Sequence, residues 1–376
     1  MLAESKFLYF RLLFKFERMK KSFYTLLFSL LAIGVFAQDP HLSQFYMAPM
    51  YLNPALTGAF DGNYRLNALF RGQWGSVLQN EAVPMYQTYT FSADFRTNKG
   101  LSKGDAFGFG ASFFGDHAGD AKFGYNVGQV AISYQKSLNG SKATNFLAVG
   151  FSSSIYNQTL DYSLLQFGSQ WDPTKGGYNP NLPTNEGLVS NKLWYWDVNA
   201  GLLWYMKITK RTNVYLGAAM YHINQPNVSM LGGDVKLNSK YVGHGGVRFP
   251  LAGRFDLQPK FIFLYQGQSI ETELAADFRI LFDEREPEGN NFKVGAMLRM
   301  VGGDPSAPWQ GNALSPESVI FTAGFDWNNL TLGVAYDVTV SQLITGDQSR
   351  GGFEIGLTYV GAFQKRRPQT IYCPRF

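Results

Sequence analysis

The side chains best equipped for chemistry in this sequence are four histidines, and their spacing keeps them apart. His41, His117, His222 and His244 are scattered, and none has a second His or Cys at a metal-ligating interval. No metal or cofactor is expected. A G-x-S-x-G nucleophile elbow is missing too, so the chain carries no hydrolase signature and is not expected to be an enzyme. Asp116 and Asp120 around His117-Ala118-Gly119 offer oxygen ligands of the kind calcium takes, against the plainer reading of solvated loop acids. The run Asp283-Glu284-Arg285-Glu286 reads as a solvated turn, with docking of a partner as the sharper alternative. The single cysteine, Cys373, excludes an intramolecular disulfide framework. It is left either to pair with another protein or to stay a free or capped thiol.

The elements that must position these residues follow from the amino terminus and the composition. Met19-Lys20-Lys21 is a short positive region, Ser22 to Phe36 is apolar or small, and Val35-Phe36-Ala37 offers a small-residue cleavage site. Residues 1–37 therefore read as a signal region with its start at Met19 and cleavage after Ala37; residues 1–18 read as a misassigned upstream start. About 340 residues remain. Charged and aromatic residues each make up 16% of the chain and glycine reaches 40 residues, which suits a lipid-facing surface better than a soluble domain. No mature segment is apolar for long enough to span a bilayer as a helix, so a membrane reading requires strands, which satisfy their backbone groups only in a closed barrel. The net charge of +5 is spread out except at Lys365-Arg366-Arg367, and nucleic acid is not an expected partner. A small-molecule substrate is not expected either.

Period-two alternation then gives the fold class: all-β, a closed antiparallel transmembrane β-barrel of about fourteen strands. Val319, Phe321, Ala323, Phe325 and Trp327 oppose Thr322, Gly324 and Asp326; Asn328-Asn329 makes a tight turn; Leu332, Val334, Tyr336 and Val338 then oppose Gly333, Ala335, Asp337 and Thr339. Strands are expected over 64–74, 87–97, 105–116, 122–138, 144–160 and 193–208, with others beginning near 212, 241, 254, 269, 291, 318, 330 and 351. Their connections alternate between short joins and mostly longer ones, with 117–121 and the bend near Gly267 as short exceptions among the longer set. That is the pattern of periplasmic turns and external loops, and it places both termini in the periplasm. The barrel should occupy 64–363, followed by a basic periplasmic tail over 364–376. Between the signal and the first strand, residues 38–63 are rich in aromatics and Met and are broken by Pro40, Pro49 and Pro54, so they should bury as a plug or cap.

This opening, QDPHLSQFYMAPMYLNPALTGAFDGNYR, closely resembles the PorP/SprF family of outer-membrane proteins of the type IX secretion and gliding machinery in Bacteroidetes. Gln44, Phe45, Asn53, Pro54 and Gly58 belong to that stretch. Arg71-Gly72-Gln73-Trp74 resembles the family's R-x-Q-W, Tyr89 to Asp94 its T-x-S-x-D strand, and Gly108 to Gly119 its glycine-rich strand ending in D-x-x-G. His222-Ile223-Asn224-Gln225-Pro226 resembles H-x-N-Q-P, His244-Gly245-Gly246 resembles H-x-G, and Cys373-Pro374-Arg375-Phe376 fits the closing residues. One departure is Phe353-Glu354-Ile355, where the family has H-E-I.

The resemblance implies an outer-membrane location and a role in type IX secretion. The implied partners are membrane lipid, secretion components in the outer membrane and periplasm, and a large surface adhesin with a type B C-terminal domain. The alternative is a passive or hydrophobic-solute channel, since a barrel of this size can enclose a lumen.

Overall fold

The computed structural model describes residues 39–75, 84–184, 190–303, 314–341 and 351–363. The signal region and its cleavage site, and the tail with Cys373, Pro374, Arg375 and Phe376, lie outside the described residues.

The strands are β1 (Tyr64–Gln73), β2 (Tyr86–Thr97), β3 (Ala106–Ala118), β4 (Phe123–Ser137) and β5 (Asn145–Thr159). A two-residue pair follows, β6 (Trp171–Asp172) and β7 (Gly177–Tyr178), then β8 (Lys192–Lys207), β9 (Asn213–Tyr221), β10 (Lys240–Ala252) and β11 (Phe255–Gln266). The last are β12 (Ser269–Leu281), β13 (Asn291–Gly303), β14 (Ser315–Trp327), β15 (Leu330–Thr339) and β16 (Gly352–Gly361). All but β6 and β7 form one closed barrel of fourteen strands in sequence order, and antiparallel pairing of β1 with β16 closes it. The expected barrel is thus the one observed. No helix among the described residues is long and apolar enough to cross a membrane.

Alternation along the strands sorts the side chains in the reverse of a soluble protein. Phe91, Val130, Ile132, Phe151, Ile155 and Phe321 are exposed on the outer face, while Asp94, Gln135, Arg279, Arg299, Asp337 and Glu354 are buried on the inner one. Lipid contact accounts for the first set and a packed polar interior for the second.

The joins fall into two classes. One end of the barrel carries 98–105, 138–144, 208–212, 253–254, 282–290 and 328–329; the other carries 74–85, 160–191, 222–239, 304–314 and 340–351 beside the tight bends 119–122 and 267–268. We call these the short-turn and long-loop ends. Asn328 has φ +53°, the left-handed conformation that a tight two-residue hairpin needs. The largest departure from the expected strand starts is β14, which begins at Ser315. The register shifts between Arg299–Ser318 and Met300–Pro316, and this bulge lets the strand continue past Pro316, which has no N–H to give to the ladder. The β6–β7 pair is too short to show a period in sequence.

The segment from Pro40 to Asn63 lies inside the barrel and runs its height. Its first residues contact inner side chains next to the long-loop end: His41 Nδ1 is 3.1 Å from Glu271, the third residue of β12. Its last residues sit at the short-turn end, where Arg96 near the end of β2 donates to the Phe60 carbonyl (2.8 Å) and Asn63 N donates to Gly361 O (2.8 Å). Pro40 and Phe363 thus lie at opposite ends of the barrel, while the termini themselves lie outside the described residues. The segment crosses the lumen from the long-loop end before β1 begins at the short-turn end.

Two outcomes follow. Phe151→Arg puts a cation on the outer face at mid-strand opposite Ile132, and should lower unfolding free energy in lipid vesicles by about 2–4 kcal/mol. In the β2–β3 turn, the Asp105 carboxylate accepts from Tyr134 OH (2.6 Å), Lys136 Nζ (2.9 Å) and Ser137 N (2.9 Å). Burial alone would raise its pKa, but these donors outweigh burial and hold it below its ordinary value of 3.8. A depressed folded value contributes stability above that pH and loses it as pH falls through the folded value. Asp105→Asn should thus lower thermal stability at neutral pH, with the deficit shrinking below pH 3.8 in melts followed by heat-dependent gel mobility.

Candidate functional site

Inward side chains recur at every second residue, so those of neighbouring strands meet at fixed levels in the lumen. Near the long-loop end one level gathers Arg71 of β1, Glu271 and Glu273 of β12, Arg299 of β13, Asp337 of β15 and Glu354 of β16, all buried. Ser43 and Gln44 of the luminal segment enter the centre of this group. Ser43 N donates to Glu354 Oε1 (2.6 Å) and Gln44 N to Glu354 Oε2 (2.7 Å), so two successive backbone amides hold one carboxylate. The Ser43 hydroxyl donates to Asp337 (2.8 Å) and accepts from Arg71 Nη1 (2.7 Å) and Arg299 Nη2 (2.5 Å).

The two guanidinium groups bind the surrounding carboxylates. Arg71 donates to Glu354 Oε1 (2.8 Å) and Asp337 Oδ2 (2.9 Å); Arg299 donates to Glu273 Oε1 (2.7 Å), Asp337 Oδ2 (3.1 Å) and Ser318 Oγ (3.4 Å). Arginine suits this place because its planar fork presents several donors to carboxylates without deprotonating. Arg71 and Glu354 stand on the two strands whose pairing closes the barrel, so the segment is bonded across the seam.

A second level lies at mid-height. Asn53 caps the short turn that follows it, its Oδ1 accepting from Ala55 N at 2.8 Å. This fixes its Nδ2 as the group that faces Leu202 O (3.0 Å) and His244 Nε2 (3.0 Å). An amide nitrogen only donates, so His244 Nε2 accepts and the ring carries its proton on Nδ1. Glycines make room here. A Cβ on Gly150 would strike the backbone of Pro54 and Ala55, and one on Gly201 would strike the Asn53 side chain. Phe45, Leu52, Ala55 and Leu56 pack beside this level on Phe146, Leu203, Tyr205 and Ile262.

The third level is at the short-turn end. Asp94 of β2 accepts from Gly58 N (2.7 Å) and from both Nε and Nη2 of Arg65 (3.0 and 2.8 Å), while Arg65 Nη2 also donates to Leu56 O (2.9 Å). Gly58 has φ +70° and lies against the backbone of Gly108, so both conformation and space require glycine.

The residues singled out in sequence are thus distributed unequally. Gln44, Phe45, Asn53, Pro54, Gly58, Arg71 and His244 meet around the luminal segment. The Gln44 side-chain amide, fully buried, has no hydrogen-bond partner among the described residues. Trp74 stands just beyond β1 with φ +57° and packs on Tyr86 (5.1 Å) instead of joining the cluster. His222, Asn224, Gln225 and Pro226 form the start of the 222–239 loop. His222 (φ +58°) has its Nδ1 3.1 Å from buried Asp197, and Asn224 bridges back to β8 through Trp196 O (2.7 Å) and Val198 N (3.1 Å).

Asp116 accepts from Thr88 Oγ1 (2.5 Å), and Asp120 is exposed. Among the described residues no group of three or more His, Cys, Asp and Glu could hold a metal ion. Ser43, Glu273, Arg299 and Asp337 escaped sequence reasoning as site residues. The signal available for Arg299 and Asp337 was a charge in the inward phase of an otherwise apolar strand.

A family profile described as "Type IX secretion system membrane protein PorP/SprF" matches residues 34–359. No curated protein matches in sequence. Among solved structures, BamA from Haemophilus ducreyi lacking POTRA domains 1–3 is 8% identical over 79% of this chain and 70% of its own, with a TM-score of 0.43. The Pseudomonas putida toluene transporter TodX is 12% identical over 87% of this chain and 96% of its own, with a TM-score of 0.43. The KdgM porin is 9% identical over 78% and 98%, with a TM-score of 0.33. These likenesses carry no argument about function.

Arg71→Ala leaves Glu354 and Asp337 short of a buried partner and should destabilise the barrel by about 3–5 kcal/mol. Asn53→Ala removes a cap and should cost about 1 kcal/mol. The readout is the temperature at which each purified barrel loses its folded gel mobility. In a double-mutant cycle with Glu354→Gln, the second substitution should cost less in the Arg71→Ala background than in the wild type; strict additivity would mean that the two side chains act independently.

Proposed function

We propose, for a chain that belongs to the PorP/SprF family of type IX secretion system membrane proteins, that it serves as a surface anchor or docking subunit rather than as a conduit. The barrel fold and the family fit the outer membrane. In this reading the long loops are external and the short turns periplasmic, as in bacterial barrels generally. Loops 160–191 and 304–314 hold an exported cargo domain, and the basic tail 364–376 reaches periplasmic secretion components. The cargo is a large surface adhesin with a type B C-terminal domain, as the family resemblance implies.

The observation that carries the choice of anchor over conduit is the occupied lumen. A segment bonded to the inner wall at three levels, by two arginine-centred networks and by Asn53, fills the path that a solute or an unfolded polypeptide would take. A passive channel is the weaker reading for the same reason: a pore profits from mobile or absent luminal chain, whereas here the luminal chain is bonded through buried charges. His222 and Asp197 then serve the shape of a loop start, with no nucleophile assigned to them.

The test is surface and culture-medium proteomics of a strain lacking the gene, against wild type and complemented strains. One or a few large surface proteins should be lost or released while the rest of the exported set is unchanged. An unchanged surface proteome would remove the anchor reading in favour of a channel. A variant lacking 162–190 should keep its folded gel mobility and lose cargo; retained cargo would exclude this loop as the holding surface.

A further inference from the structure

The direction in which the luminal segment runs has a topological consequence. The contacts of His41 and Ser43 are with the long-loop end: His41 faces Glu271, and Ser43 meets Arg71, Arg299, Asp337 and Glu354. Arg71 and Asp337 each lie two residues before the end of their strand, and Glu354 two residues after the start of its own, all on that side. The segment's last residues are held at the other end, by Asp94 on Gly58 and Arg96 on the Phe60 carbonyl. The order of contacts is therefore long-loop end first, short-turn end last, and β1 returns from there. A chain cleaved after Ala37 has only Gln38 and Asp39 before Pro40. Two residues reach at most about 7 Å.

We infer that the chain enters the lumen from the external mouth of the barrel, so that the mature amino end is presented there beside the long loops, on the opposite side of the membrane from Phe363. The clamp around Ser43 holds this arrangement, because the segment cannot slide towards the short-turn end without breaking the amide pair on Glu354 and both guanidinium contacts to the Ser43 hydroxyl.

The experiment is cysteine labelling of the full-length protein in living cells with a membrane-impermeant maleimide, in a Cys373→Ser background. One variant carries a Gly-Ser-Cys-Gly-Ser insertion between Gln38 and Asp39. Lys175→Cys marks the long-loop end and Lys142→Cys the short-turn end, both positions being exposed. Folded gel mobility shows that each barrel is intact, and mass spectrometry of the mature amino end shows where it was cleaved. On intact cells the amino-end cysteine should label as Lys175→Cys does, with Lys142→Cys labelling only after permeabilisation. Amino-end labelling that follows Lys142→Cys would overturn the inference, as would an amino-end cysteine that labels in neither state. The readout involves no cargo, so it stands or falls separately from the anchoring role.

Discussion

The Glu354 carboxylate is the group on which the interior depends. It is almost fully buried, and it is held by two consecutive backbone amides and by a guanidinium from the strand that closes the barrel. A charge of that kind inside a packed lumen is tolerated only when its hydrogen-bonding capacity is met, and a half-satisfied network is worse than an apolar one. Glu354 therefore constrains three things together: the seam between β1 and β16, the position of the luminal segment, and the presence of Arg71. None of the three can shift alone without stranding a charge. The same logic extends through Asp337 and Ser43 to Arg299 and Glu273, so a ring of inward charges on β1, β12, β13, β15 and β16 becomes one unit.

This unit divides labour with the glycines of the wall. Strands β5 and β8 approach the segment so closely at Gly150 and Gly201 that any side chain there would displace Pro54 or Asn53. The segment thus lies in a groove cut into the wall by missing side chains, and charges fasten it at the upper and lower levels. Glycine-rich strands usually weaken a sheet, because they bring no side chain to pack. Here the chain that packs comes from the segment, and the outward neighbours of those glycines still present Val149, Phe151 and Leu202 to lipid.

Most of the barrel was legible because alternation in a membrane strand is a strong constraint. Lipid on one side and a polar lumen on the other leave each residue one acceptable phase. That is why strand starts such as 269, 291 and 330 agree with the structure to the residue. Where the local rule was broken the reading slipped, as at the bulge before Pro316. The luminal segment was recognisable as something that had to bury, since exposed Phe45, Met47 and Leu52 would be costly, but its direction was invisible. Nothing local in QDPHLSQF says which end of the barrel it meets; that is decided by pairings such as Ser43 with Glu354, 311 residues apart. Sequence put His244 inside a strand and His222 at a strand end, but only three-dimensional placement brings His244 onto the segment through Asn53, 191 residues away, and leaves His222 at a loop beside Asp197.

That separation in sequence also orders events. Local hairpins such as β14–β15 close over a two-residue turn, whereas the clamp needs residues from the first strand, the last strand and the segment before either. Contacts between distant parts of a chain carry the largest loop-closure entropy and complete late. Arg71, Glu354 and Ser43 can satisfy one another only once β16 has found β1, so the clamp is a property of the closed barrel and of no earlier species. Until then Arg71 and Glu354 remain solvated and compatible with an open sheet edge. On closure both lose water together, and the segment's amides and hydroxyl supply the bonds that water had made.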